Sequence, residues 1–358
     1  MPVVQKPIVC VSSPSVPIEI VRAAGCDTEF ARGSCEPTPA ADAHLEPFIF
    51  PNRLRQLVEA ALTGRLAHVA RIVVPRTSDA DYKCFLYLRE LVRRGVIAGL
   101  PPVVLFDLLQ SDGPEVRAYD VARTRALVDE LASVSGRTPS VDDLRGEIER
   151  ANAARQAARR LLGLRRDRPR ITGTEMFPVL EAFWEMDPDR YAAMVSEAAS
   201  AVATRQPLDG PRVLLTGAPV DAAVMHHAIE SHGAIVTAEV VSWGSCTAGD
   251  DVRLDDDPLT ALADWYRTNT IGARTPVGTI RSWIDERLHD TDAVVALLPQ
   301  DDAVFGWDYP ALRDRLASLG IPHVCLRGDP YQPPAQTDHG QLEVMVAAAS
   351  RLYEARHG

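Results

Sequence analysis

The chain has 358 residues, 46% of them hydrophobic and 24% charged, which is typical of a globular protein long enough for two domains. The net charge of −11 disfavours nucleic acid or an anionic membrane as the main partner, because both are negatively charged. The sequence predicts neither a membrane span nor a secretory signal, so we expect a cytoplasmic protein.

Short β-branched runs alternate with helical patterns in the first third of the chain. The runs predict buried parallel strands in "KPIVCVSSP" (6–14), "ARIVVPRT" (70–77) and "PPVVLFDLL" (101–109). The segments between them have helical spacing and end at glycines. Residues 1–114 are therefore predicted to form an N-terminal α/β domain.

The strand signals stop at about residue 115. Ser140 and Asp143 have the spacing of a capping box, and a long amphipathic helical pattern follows them. The segment that starts at residue 171 also has mostly helical spacing. These patterns predict a helical bridge over residues 115–205.

A second series of apolar runs predicts a C-terminal α/β domain over residues 206–358. Its strands are expected in "PRVLLTGAP" (211–219), "GAIVTAEVVS" (233–242), "TDAVVALLPQ" (291–300) and "IPHVCLRGD" (321–329). Ligands of open parallel sheets bind beyond the carboxyl ends of the strands. In a chain with two such domains, this rule predicts a ligand site in a cleft between them.

Several polar residues follow the predicted strands, and each has a structural and a functional interpretation. Ser78 precedes a helix, where it serves either as an N-cap or as a hydroxyl that contacts a ligand. Thr216 and Gly217 begin a turn that either holds an anion or simply joins a strand to a helix. Glu19 either complements the dipole of a helix or takes part in catalysis.

The six cysteines are scattered and include no CxxC pair, so a disulfide framework is not expected. Three of those in or near turns are candidate metal ligands: Cys35, Cys84 and Cys246. Cys84 lies nearly two turns into a predicted helix, where a buried structural cysteine is the alternative.

Ordered segments along most of the chain resemble the 2-hydroxyacyl-CoA dehydratase and benzoyl-CoA reductase family, which includes the 2-hydroxyglutaryl-CoA dehydratase D-component. They include "SSPSVPIEIVRAAG" (12–25), "VVPRTSDADYK" (73–83), "ITGTE" (171–175) and "TDAVVALLPQDDAVFGWDYP" (291–310). The resemblance implies two flavodoxin-like (Rossmann-like) domains joined by a helical bridge. It also implies two related subunits, each with a [4Fe–4S] cluster held by three cysteines. An ATP-dependent activator would supply electrons for dehydration or reduction of an acyl-CoA.

The sequence departs from the family pattern at the cluster ligands. The resemblance places one cysteine where Ser78 stands, one near residues 48–53 and one within 300–307, and none of these places has a cysteine. Serine is a hard ligand that does not normally hold such a cluster. The turn at 73–85 is therefore interpreted as a cluster-site turn that has lost its ligand. Phe305 and Trp307 are expected to fill the volume that a cluster would occupy.

Three functions remain open at this point. The chain is a clusterless family member that binds or transforms an acyl-CoA or a related small carboxylate in the cleft, or a non-catalytic subunit of a cluster-bearing dehydratase or reductase. The third alternative is an active [4Fe–4S] lyase with the three candidate cysteines as relocated ligands. No cofactor is expected in the first two cases, and a homodimer or a heterodimer with a homologous subunit is expected in general.

The predicted catalytic residues are Ser78, Asp79 and Glu19, and the predicted ligand-binding residues are Ser12, Thr216, Gly217, Ser245, Phe305 and Trp307.

Overall fold

The protein contains two four-stranded, all-parallel β-sheets surrounded by helices. The architecture comes from a computed structural model that describes residues 6–46, 48–217, 221–244, 248–300, 302 and 304–357. The predicted α/β class is therefore confirmed. The strands are β1 Ile8–Val11, β2 Asp27–Phe30, β3 Arg71–Pro75, β4 Val103–Phe106, β5 Arg212–Gly217, β6 Ile235–Val240, β7 Ala293–Leu298 and β8 His323–Arg327.

The helices alternate with the strands in both halves and run consecutively in the middle of the chain. They are α1 Ile18–Ala23, α2 Pro39–Asp42, α3 Asn52–Leu62, α4 Asp79–Arg93, α5 Pro114–Ser135, α6 Val141–Gly163, α7 Gly173–Glu185, α8 Pro188–Ala203, α9 Val224–Glu230, α10 Pro258–Asn269, α11 Val277–Leu288, α12 Phe305–Ser318 and α13 Gln336–His357.

The first sheet has the strand order β2-β1-β3-β4. Its central strands are buried on both faces, as the apolar runs predict. One face packs against α3 and α4 through a core that includes Leu54, Leu57 and Leu88. Strand β2 was not predicted, because its sequence, "DTEF", is short, polar and partly exposed.

The second sheet repeats this arrangement with the order β6-β5-β7-β8. Every residue of β7 is buried, and separate apolar clusters cover the two faces of the sheet. All four predicted strands are present, although each is shorter than the apolar run that predicted it. The same strand order in both sheets supports the flavodoxin-like description.

The central part of the chain forms α5 to α8, in agreement with its helical spacing. The capping box is present before α6, where the Ser140 hydroxyl accepts from the Asp143 amide at 3.1 Å. In return, the Asp143 carboxylate accepts from the Ser140 amide at 2.9 Å. Among the described helices, none combines the length and the apolar character needed to cross a bilayer.

The chain divides into two compact units, each of which contains one sheet. The first unit consists of residues 1–154, 184–188 and 250–270. The second unit consists of residues 155–183, 189–249 and 271–358. Both units are therefore built from segments that are not contiguous in sequence.

Candidate functional site

The carboxyl edge of the first sheet contains the turn between β3 and α4. Ser78 has an extended backbone and is the N-cap of α4. Its hydroxyl accepts from the Asp81 amide at 3.1 Å and donates to the Asp81 carboxylate at 2.7 Å. The structural interpretation of Ser78 is therefore confirmed, and a contact with a ligand stays a prediction. Asp79, the other predicted residue of this turn, is exposed in the first turn of the helix.

Asp81 is the centre of a buried polar network that the sequence analysis did not identify. Its carboxylate has no exposed surface and lies 2.8 Å from the Arg53 guanidinium. It also accepts from the Thr77 hydroxyl at 2.6 Å. The Ser78–Asp81 spacing is the same capping-box spacing as Ser140–Asp143, so the sequence carried a signal for this aspartate. No local pattern indicated its arginine partner on α3.

Arg53 links this turn to the end of β1. Besides its ion pair with Asp81, the guanidinium donates to the carbonyl oxygen of Ser12 at 2.6 Å. Arg53 is only 8% exposed, so this ion pair is shielded from water and salt. The end of β1 and the start of α4 are thus held together through one side chain, in the region where parallel sheets bind ligands.

The Ser12 side chain is fully buried, and its hydroxyl has no hydrogen-bond partner among the residues that the structure describes. The neighbouring Ser13 is also buried, but its hydroxyl donates to the Ser15 hydroxyl at 3.3 Å. A buried hydroxyl without a partner is uncommon, because it loses its hydrogen bonds to water without replacement. Ser12 therefore stands out among the residues predicted to bind a ligand.

Glu19 lies at the start of α1 and is completely buried. Its carboxylate accepts from the Tyr266 hydroxyl at 2.8 Å. The same hydroxyl oxygen accepts from the Ile18 amide at 3.3 Å. Glu19 thus helps to join α1 to α10 within the first unit, and a catalytic role for it remains a prediction.

At the carboxyl edge of the second sheet, Thr216 is buried and its hydroxyl donates to the carbonyl oxygen of Val240 at 3.2 Å. Gly217 has a φ of +117°, and a Cβ at this position would overlap the carbonyl oxygen of Leu297. Glycine is therefore required here both for its backbone conformation and for the close approach of β7. The next predicted residues, Ser245 and Cys246, lie outside the described part of the chain.

Asp302 occupies the N-terminus of α12, in the segment expected to line the ligand site. Its carboxylate accepts from the Phe305 amide at 3.0 Å and from the Gly306 amide at 2.7 Å. Phe305 is partly buried, whereas Trp307 is 84% exposed. Trp307 was expected to fill the volume that a cluster would occupy. This expectation is wrong, because the ring is largely exposed and packs against little protein. Its role in ligand binding remains a prediction.

The amino-acid sequence matches a known protein family. A sequence model described as "2-hydroxyglutaryl-CoA dehydratase, D-component" matches residues 14–348. The chain belongs to this family. The resemblance of its ordered segments is thereby confirmed. No curated protein matched the chain in a sequence comparison.

Membership of the 2-hydroxyglutaryl-CoA dehydratase D-component family implies a [4Fe–4S] cluster held by thiolates, and the residues at the carboxyl edge of the first sheet can be compared with that requirement. The Ser78 hydroxyl is engaged with Asp81, which in turn pairs with Arg53 on α3. The resemblance expects thiolates at two places in the first unit, at residue 78 and near residues 48–53. A hydroxyl, a carboxylate and a guanidinium connect these two places. A guanidinium has no lone pair for a metal, and the oxygens are hard ligands. The donor set of this edge therefore does not fit a thiolate-held cluster.

The candidate cysteines differ in their surroundings. Cys84 is fully buried in the apolar core with Cys10, and burial raises the pKa of both thiols to about 12. The thiolate is the form that binds metals, so the environment of Cys84 is typical of a structural cysteine. Cys35 is exposed in a loop that is fixed to α3, where the Ser34 amide donates to the Asn52 side chain at 3.0 Å. Among the described residues, no group of three or more metal-ligating side chains is suited to a metal ion.

Proposed function

We propose that this protein is a clusterless member of the 2-hydroxyglutaryl-CoA dehydratase D-component family that binds or transforms an acyl-CoA or a related small carboxylate. The observation that carries the proposal is the Arg53–Asp81–Ser78 network at the carboxyl edge of the first sheet. It consists of hydroxyl, carboxylate and guanidinium groups where the family resemblance expects soft thiolates. Family membership supports the acyl-CoA as the ligand class.

The chemistry available to the described residues is that of binding and orientation. Parallel sheets present their carboxyl edges to ligands, and this edge offers the hydroxyl groups of Thr77 and Ser78 beside a buried ion pair. The hydroxyl groups can reorient to donate or to accept, whereas the guanidinium is held in one position by contacts that include the Ser12 carbonyl oxygen and the Asp81 carboxylate. We propose that the edge holds the polar head of the ligand and excludes water from it.

The clusterless state is tested by anaerobic reconstitution with iron and sulfide. We expect no stoichiometric cluster and no broad absorption near 400 nm. About four irons per chain together with that absorption would show that a cluster is bound. Replacement of Cys35, Cys84 and Cys246 by serine, singly and together, would then show whether they are relocated ligands. The Cys84 thiol is buried in the core, and this burial is evidence against a role for Cys84 as a relocated ligand.

Ligand binding is tested by calorimetry with 2-hydroxyglutaryl-CoA and benzoyl-CoA, with the free acids and CoA as comparisons. Saturable binding of an acyl-CoA or of a free acid supports the proposal. If the protein binds neither kind of ligand, the proposal is contradicted. We further propose that the protein pairs with itself or with a homologous subunit, since the family resemblance implies two related chains. Light scattering of the purified protein, alone and mixed with a cluster-bearing homologue, distinguishes these two pairings.

A further inference from the structure

The Ser12 hydroxyl is predicted to bind a ligand at the carboxyl edge of the first sheet. It is buried away from water, and no described residue forms a hydrogen bond with it. The backbone of the same residue is firmly held, because its amide donates to Val73 at 3.3 Å and its carbonyl accepts from Arg53 at 2.6 Å. A fixed backbone with an unpaired hydroxyl is suited to donate to an incoming acceptor.

The charges around Ser12 indicate what kind of acceptor fits. The Arg53 guanidinium that holds its carbonyl oxygen also pairs with the buried carboxylate of Asp81 at 2.8 Å. The positive charge is therefore already balanced. A second carboxylate brought into this buried region would meet Asp81 as a like charge, which disfavours its ionised form. A neutral carbonyl oxygen avoids this repulsion and still accepts the hydrogen bond.

We propose that Ser12 donates a hydrogen bond to the thioester carbonyl of an acyl-CoA and thereby selects the thioester over the free carboxylate. This inference rests on the proposed function and specifies the ligand class of the same site. Because the hydroxyl is buried, a ligand that accepts its hydrogen bond takes its own carbonyl out of water. In that environment a single correctly placed donor discriminates strongly between acceptors.

The test compares Ser12→Ala with Ser13→Ala, a matched variant at the next buried serine. We expect Ser12→Ala to weaken the binding of the acyl-CoA that the unmodified protein binds by about 5–10-fold, as for the loss of one neutral hydrogen bond. Ser13→Ala should change this affinity by less than about twofold. Calorimetry gives both values, and the free acid and CoA are titrated in parallel.

A melting temperature separates binding from stability. The Ser12 hydroxyl has no partner to lose, so Ser12→Ala should melt at the same temperature as the unmodified protein or higher. Unchanged acyl-CoA affinity in Ser12→Ala would overturn the inference, and so would tighter binding of the free acid than of its thioester. An affinity loss that is accompanied by a lower melting temperature would also overturn it. If the unmodified protein binds neither form, the proposed function itself fails.

Discussion

Arg165 and Glu239 form an ion pair through two contacts, 3.1 and 2.7 Å long, and neither side chain is exposed. His226 lies 3.2 Å from the same carboxylate and is also fully buried. The network joins the chain beyond α6 to α9 and β6 within the second unit. Like the pair between Arg53 and Asp81 in the first unit, it is a buried arginine–carboxylate pair, but its carboxylate lies on a strand instead of a helix.

The pH dependence of stability should reflect Glu239. Burial opposes its ionisation, but Arg165 and His226 outweigh that effect and lower the pKa of Glu239 to about 2. The folded state thus has a lower pKa than the unfolded chain, whose value is near 4.5. Its stabilisation is complete above about pH 4.5 and is lost as the pH falls toward 2. The difference in unfolding midpoint between the unmodified protein and Glu239→Gln should therefore narrow below about pH 4.5.

Removal of Arg53 should be strongly destabilising. Arg53→Met leaves the Asp81 carboxylate buried without its cation, which typically costs about 3–5 kcal/mol. Arg53→Met combined with Asp81→Leu should recover part of this loss, because no charge is then left uncompensated. Arg55→Met is the matched control, since Arg55 lies two residues further along the same helix but pairs with the more exposed Asp42, and the change should alter stability by about 1 kcal/mol or less. Chemical denaturation measures all three, and equal losses in Arg53→Met and Arg55→Met would contradict the prediction.

Thiol reactivity should separate the cysteines. Cys35 is exposed and should be alkylated by iodoacetamide in the folded protein at pH 8. Cys10 and Cys84 are buried, and burial raises the pKa of each to about 12, so both should react only after unfolding. Mass spectrometry of peptides from folded and denatured samples gives the extent of labelling at each site. Rapid labelling of Cys84 in the folded state would show that it is more accessible than its packing indicates.

Trp307 should affect binding more than folding. Its side chain is 84% exposed, so Trp307→Ala removes little packing and should leave the melting temperature within about 1–2 °C. We expect it to weaken acyl-CoA binding, because an exposed aromatic ring in the first turn of α12 offers a large surface to a ligand. Calorimetry and thermal unfolding provide the two values. A large fall in melting temperature with unchanged affinity would assign the ring to the core instead.

The apolar runs predicted seven of the eight described strands because buried parallel strands are nearly continuous hydrophobic segments. Strand β2 could not be recognised in the same way, since three of its four residues are polar and it lies at an edge. The stretch "DTEF" gains its conformation from pairing with β1, with Val9 opposite Thr28. Pairing of this kind depends on a distant partner and leaves no local pattern.

The site was only partly predictable for a related reason. Ser78 follows a strand and precedes a helix, and both facts are local, so its capping role could be inferred. Arg53 reaches Asp81 from another helix, 28 positions earlier in the chain, and the sequence alone does not indicate that pairing. Trp307 was expected to fill the volume that a cluster would occupy, because packed proteins tolerate voids poorly. Its exposure is set by the direction in which α12 presents it.

The discontinuous composition of the two units has a consequence for synthesis on the ribosome. The first unit includes residues 250–270 of the 358-residue chain, among them α10, whose Tyr266 binds the Glu19 carboxylate. Its complete set of contacts therefore cannot form until about three quarters of the chain has been made. By then the strands β5 and β6 of the second unit have also emerged. The nascent chain must therefore hold an incomplete first unit, which still lacks α10, beside an incomplete second sheet, so a chaperone that delays pairing between β1 and β5 would help it more than one that acts after release.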